Sequence, residues 1–251
     1  MAGESVDPSA LSGPRRRMED SWVLIRALLR GTVAMRAARE TFLPKHPAET
    51  QTAYNQRLEK ADLLNVFGEA VADIAGRPFA TTVAPAETAP DDIKALATDI
   101  DLLGNSMHVF GAQLHTDAVA FGLGGFLVDY TDTSASAPVT LADQRLSGAR
   151  PYWVRYAPEN IIAVHASHGE NQRPALSHVR LFETEIRADA RTFKEMLVER
   201  VRVFDAIDGK VQLSVYERET EVGVKSTATE VMPGQAASSG SAWVQKSTKT
   251  L

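Results

Sequence analysis

Three features of the sequence predict an α+β fold, with helices first and a mostly antiparallel sheet after them. Apolar residues recur at helical spacing through residues 18–121. From residue 122 onward they alternate, or run in short β-rich stretches between turn residues. The clearest stretch is Arg200-Val-Arg-Val-Phe-Asp-Ala-Ile, then Asp208-Gly209, then Lys210-Val-Gln-Leu-Ser-Val-Tyr. Alternation on both sides of an Asp-Gly pair is the pattern of a tight hairpin.

In chain order, residues 1–17 read as a flexible arm, with Gly13-Pro14 followed by the basic run Arg15-Arg16-Arg17 as a solvated helix start. A helix is expected over Glu19–Glu40, because Trp22, Ile25, Leu29 and Val33 share one stripe. Pro44 and Pro47 stop it, since proline has no amide hydrogen to continue the helical ladder. A second helix is expected over Glu49–Ala75, with Tyr54, Leu58, Ala61, Leu64, Val71 and Ile74 on its apolar side and Gly76 as a left-handed cap before Arg77-Pro78. Residues 81–90 read as a loop and Asp91–Leu102 as a short helix. Ser106 is placed to cap a further helix carrying Met107, Phe110, Leu114, Ala118 and Phe121 on one face.

The glycines at 122, 124 and 125 then decide between two classes of function. A phosphate-cradling loop runs from strand through glycines to helix, because the helix N-terminus supplies the anion-binding amides. Here the order is helix, glycines, strand: Gly122 falls where the helix ends, and Gly125–Tyr130 reads as a strand. A phosphate would meet carbonyls at a helix C-terminus. The segment therefore reads as a turn; a nucleotide-binding enzyme using residues 122–125 is the alternative reading. Beyond it, 131–149 reads as a polar insertion, with short strands at Tyr152–Tyr156, Ile161–His165 and Ser177–Glu183. A loop over 233–242 and a strand starting at Trp243–Lys246 complete the pattern, all within the β-rich region 122–251.

Composition removes several functions. A net charge of −5 argues against coating nucleic acid by bulk charge, and the absence of cysteine removes disulfides and thiolate metal sites. The first ten residues are polar rather than signal-like, and the longest apolar run, Ala118–Val128, is far below the ~20 residues that span a bilayer, so a soluble chain is expected. His108 and His115 are seven apart on one helix, roughly 10 Å along its axis, too far to share one ion. His165 and His168 have no third ligand nearby in sequence. The aspartate pairs 91/92 and 99/101 read as caps and surface charge, and Gly223-Val-Lys225-Ser226 lacks the glycine spacing of a phosphate loop. The sequence predicts no catalytic group, metal or cofactor.

One further pattern lies in the order of segments. Trp22 through Gly31 to Met35-Arg36 is followed by Phe42-Leu43-Pro44-Lys45-His46-Pro47, then Tyr54-Asn-Gln-Arg57-Leu58. Gly76-Arg77-Pro78 comes next, then Asp101-Leu-Leu-Gly104 and Gly122-Leu-Gly124-Gly125-Phe-Leu-Val-Asp129-Tyr130. Pro151-Tyr152-Trp153 and Pro158 close the series. This series resembles the portal proteins of tailed bacteriophages, over roughly residues 18–220. The strength of the resemblance is the order and spacing of the segments, not any single motif.

The resemblance implies a wing-like α+β body and a structural subunit of a homo-oligomeric ring, generally a dodecamer, at one capsid vertex of the virion. Such a ring serves head assembly and the packaging and ejection of double-stranded DNA through its channel. Its implied partners are other copies of itself, terminase, capsid and scaffold proteins, and head–tail connectors, with no membrane. Family members are longer, so the chain is expected to be the N-terminal portion, ending before the stem and channel helices.

Overall fold

The computed structural model describes residues 7–131, 140, 142–143, 148–168, 173–188, 191, 194–221 and 242–250. It is α+β, with the helices early in the chain and two antiparallel sheets later. Two compact units form: one from Met1–Glu19 with Glu159–Leu251, the other from Asp20–Pro158. In chain order the second is an insertion within the first. The helix-to-strand change falls near residue 122, but the units divide elsewhere.

The unit Asp20–Pro158 holds most of the first helix, α1 (Gly13–Arg30), then α2 (Thr32–Ala37), α3 (Gln51–Lys60), α4 (Val66–Gly76), α5 (Asp91–Leu96) and α6 (Met107–Phe121). The single helix expected over Glu19–Glu40 is broken at Gly31, whose φ of 73° is left-handed. It gives way to α2 and a 3-10 turn at Arg39–Thr41. Leu29 and Val33, expected on the buried stripe, are consequently exposed. Glycine takes this conformation without a Cβ clash, and the stripe's spacing carries no sign of it.

The long second helix is also two. After α3 the chain is extended at Ala61 (φ −70°, ψ 120°), and α4 starts afresh under an Asn65 cap. The interruption is held from α2: Arg36 Nε donates to Ala61 O at 2.8 Å, and Leu63 N donates to Thr32 Oγ1 at 3.2 Å. The break puts Leu64 in the link between the helices, exposed, and leaves Ile74 exposed on α4, while Tyr54, Leu58 and Val71 stay buried. Gly76 is not a left-handed cap. Its φ is −74°, and the chain passes directly into a 3-10 turn, Arg77–Phe79, whose first positions accept Pro78.

α5 ends six residues before the expected Leu102, in a series of turns. For α6 the expected ends are observed: Ser106 Oγ accepts from Val109 N, and Gly122 (φ 68°) donates its amide to Ala118 O at 2.9 Å. β1 (Gly125–Tyr130) and β2 (Pro151–Tyr156) pair antiparallel, with Val128 opposite Trp153. Of the expected insertion 131–149, residues 132–139, 141 and 144–147 lie outside the described residues.

The other unit is a five-stranded antiparallel meander. Its strands are β3 (Ile161–His168), β4 (Pro174–Ala188), β5 (Glu195–Ile207), β6 (Lys210–Glu221) and β7 (Val244–Thr250), in spatial order. Asp208 (φ 50°) and Gly209 (φ 76°) make the tight turn between β5 and β6. β3 and β4 run longer than their apolar runs suggest, because ladder bonds continue past the buried part. Ile162, Phe182, Val201 and Val203 form the core, with Leu11, Tyr216 and Trp243 packed on it.

Leu11 belongs to the expected flexible arm, a reading that fails for residues 7–17. Pro8, Ser9 and Ser12 are buried, Ser12 N donates to Ile162 O at 3.0 Å, and Arg180 Nη1 donates to Pro8 O at 2.8 Å. Helix α1 starts at Gly13, and Arg15 is not solvated as a basic run suggests. It is buried and paired with Glu19 at 2.7 Å, while Arg16 and Arg17 are exposed. Residues 1–6, the glycine-lysine segment 223–226 and all of 233–242 except Ala242 lie outside the described residues.

Candidate functional site

The residues that carry the resemblance all fall in the unit Asp20–Pro158, and several of them hold corners together. Met35 and Arg36 of α2 meet Leu43, Leu58 and Ala61–Leu63 around a half-open, mainly apolar cleft of about 160 Å³. Arg36 spans it, with Nη2 bound to Asp62 Oδ1 at 2.8 Å. Tyr54 is fully buried, its hydroxyl donating to Leu43 O at 3.2 Å and its ring lying under the Arg57 guanidinium at 5.4 Å. Arg57 grips Glu49 with both ends of its fork, at 2.9 and 2.8 Å, and Pro44 O at 2.9 Å. A planar fork suits this bidentate role, which lysine cannot reproduce.

Those hydrogen bonds from Arg57 hold the Glu49 carboxyl below its usual pKa. A carboxylate with a depressed folded pKa stabilises the fold above its unfolded pKa, about 4.3, and loses that contribution as pH falls through the folded value. Arg57→Met is therefore expected to lower the thermal midpoint at neutral pH, with the gap to the native chain narrowing below about pH 4. Thermal melts across that range check it; a gap that is constant with pH contradicts it.

The second corner lies around Asp101. Its carboxylate accepts from Leu103 N (3.0 Å), Asn105 N (3.2 Å) and Asn105 Nδ2 (2.7 Å). Partial burial alone would raise its pKa, but these bonds outweigh it and hold the value below the ordinary one. Gly104, at φ 87°, sends its amide to Asp99 Oδ1 at 2.8 Å, and Asp99 also pairs with Arg150 at 2.8 Å. Ile100 O accepts from Trp153 N at 2.9 Å, so the loop closes on the edge of β2. Trp153 stacks with Phe126 and Phe110, at centroid distances of 4.8 and 5.5 Å. Asp99 and Asp101 thus hold turns beyond the end of α5, a correction to the cap and surface-charge roles expected of them in a helix reaching Leu102.

The remaining positions extend the frame. Trp22 is buried against Phe121, Gly125 and Asp129 lie on β1, Pro151 and Tyr152 on β2, and Pro158 is buried at the end of the unit. Arg77 makes an exposed pair with Asp73. Gly124 belongs to packing: a Cβ there would sit 3.1 Å from Leu114 O. His108 and His115 flank the Phe79 ring, at 5.5 and 5.9 Å.

Sequence reasoning missed the polar order of the large sheet. Arg200 bridges Glu217 (2.8 Å) and Glu183 (3.4 Å) across three strands. On the opposite face Glu199 is buried and bound by Arg218 at 2.6 Å, with Trp243 over the guanidinium at 4.6 Å. Counting outward from the Asp208–Gly209 turn sets Arg200 opposite Glu217 and Glu199 opposite Arg218, so the signal was present in the register. His178 Nδ1 lies 2.6 Å from Asp205 Oδ1, and the His165 ring is 5.5 Å from His178.

Among the described residues no group of three or more histidines and carboxylates could hold a metal ion. No helix among them is long and apolar enough to cross a membrane. What the arrangement does chemically is hold turns and strands in fixed positions. No family model matches the chain, and no curated protein matches it significantly.

Proposed function

We propose that the chain is a structural subunit of a phage portal ring, or its N-terminal portion. It would act at the capsid vertex of the virion in head assembly and in DNA packaging and ejection. One observation carries the reading: the residues of the ordered series build a polar and aromatic frame at the corners of one unit. Tyr54, Arg57, Arg36, Asp101 and Trp153 each bond to the backbone of a distant turn or strand, or close such a turn. Such a frame supports the reading by giving the segments of that series a shared structural role, as the resemblance implies. Copies of the chain, terminase, scaffold and capsid proteins, connectors and double-stranded DNA are the partners of this reading.

The test is light scattering after size exclusion, with negative-stain imaging of the same fractions. Rings with a central hole, of about twelve subunits, are the expected result for the full assembly-competent protein. A monomer that also fails to bind purified terminase and scaffold proteins would sink the proposal. No observation favours the nucleotide-binding alternative, because Gly122 ends α6 and Gly124 packs against Leu114.

A further inference from the structure

β3, β4 and β5 carry one polar row across a face of the large sheet. His165 stands opposite His178 in the β3–β4 register, and His178 stands opposite Asp205 in the β4–β5 register. Directly opposed residues on antiparallel strands point to the same face, so the three side chains lie side by side. Val201 and Val203 of the core precede Asp205 on the same face of β5. The row lies past the end of that core: His165 is exposed, and the His178 and Asp205 side chains are half-buried.

The two histidines have the geometry of a ligand pair. Their ring centroids are 5.5 Å apart, with the planes tilted by 42°. Two imidazoles bound to one ion through ~2.1 Å metal–nitrogen bonds at a tetrahedral angle have centroids ~5 Å apart, so small side-chain rotations suffice. His178 Nδ1 lies 2.6 Å from Asp205 Oδ1. A carboxylate only accepts, so Nδ1 carries the ring proton and the neutral ring keeps its lone pair on Nε2. A carboxylate behind the ring is the arrangement that orients a metal-binding histidine and raises its basicity. The His165 ring nitrogens have no hydrogen-bond partner among the described residues. Arg180, further along β4 on the same face, turns Nη1 to Pro8 O at 2.8 Å, and Asp205 offsets its charge.

We propose that His165 and His178 chelate one Zn²⁺ ion between β3 and β4, with Asp205 as the positioning residue that holds His178 in the binding tautomer. Imidazole suits Zn²⁺ and its first-row neighbours and not Mg²⁺ or Ca²⁺, which take oxygen ligands. No third histidine or carboxylate joins the pair among the described residues, so two positions on the ion stay open to water. The site is accordingly weaker than a structural site with four protein ligands. An ion held there staples β3 to β4 beside the anchor of residues 7–12 on Arg180, and it stabilises the sheet unit because it binds only the folded arrangement. The site stands whether or not the chain forms rings.

The chain has no cysteine, so no thiolate competes for the ion in a direct test. Titration of the full chain with zinc chloride, followed by calorimetry and by thermal melts, is expected to show one ion bound and a raised unfolding midpoint. Asp205→Asn should weaken binding by about 10–100-fold, as loss of an outer-shell partner does, and His165→Gln or His178→Gln by more than that. His168→Gln, at the end of β3 opposite Pro174, should bind as the native chain does. Cu²⁺ should bind more tightly than Zn²⁺, and excess Mg²⁺ should not displace either. Absence of binding at millimolar Zn²⁺, binding unchanged by the His165 and His178 variants, or displacement by Mg²⁺ overturns the proposal. If His178→Gln does not fold, His165→Gln decides, because that side chain is exposed.

Discussion

Arg218→Met is expected to destabilise the sheet unit by about 3–5 kcal/mol, the cost of leaving a buried charge without its partner. Glu199 is 1% exposed and lies on the face of β5 that carries the core. Arg218 bonds it from β6 at 2.6 Å and is itself covered by the Trp243 ring. Replacing only the arginine strands a carboxylate where water cannot reach it. The double variant Glu199→Leu with Arg218→Met removes both charges and should recover most of the loss. Urea unfolding of the two variants, followed by circular dichroism in the strand region, gives the comparison. Equal losses in the single and double variants would mean that Arg218 contributes by packing alone.

The second large effect belongs to the helical unit. Trp22→Ala is expected to cost about 3–5 kcal/mol through the cavity it leaves, whereas Trp22→Phe keeps most of the volume and should lose only about 1 kcal/mol. The indole is buried, stacks edge-on to Phe121 at 5.3 Å, and donates Nε1–H to Phe121 O at 3.0 Å. That carbonyl is one of the last in α6, where intrahelical donors have run out. Trp22 thus fills space and also satisfies a helix end. Chemical denaturation with a probe in the helical unit distinguishes the two variants; a Phe variant as unstable as the Ala variant would place the effect in the hydrogen bond.

Much of the fold was legible. The Asp208-Gly209 turn, the Ser106 cap, the end of α6 at Gly122 and the start of β1 at Gly125 are local events, decided by a few adjacent residues. The helix breaks were not legible. A stripe such as Trp22, Ile25, Leu29, Val33 is the same in a continuous helix and in one interrupted at Gly31. What interrupts it is the left-handed Gly31, and what holds the break in the second helix is Thr32 and Arg36 binding the backbone at 61–63 from far earlier in the chain. The arm was misread for the same reason: a short polar stretch looks mobile until Ile162 O and Arg180 are brought to meet it.

The candidate site divides in the same way. Gly104, expected in a break, takes a left-handed φ of 87°, and Gly122 ends α6 as expected, whereas the cap or surface role expected of Asp101 gives way to holding a turn. Glu199 gave no sign of burial, because glutamate is polar in any sequence window and its environment is set by strands on either side.

The sequence by itself therefore determined the α+β class, the hairpin register and the ends of α6, since these follow from steric and hydrogen-bonding preferences of neighbouring residues. Only the tertiary structure decided where the long helices break, that residues 7–12 lie on the sheet, and which charges are buried. Each of those depends on groups far apart in sequence competing for the same backbone atoms or the same shelter from water.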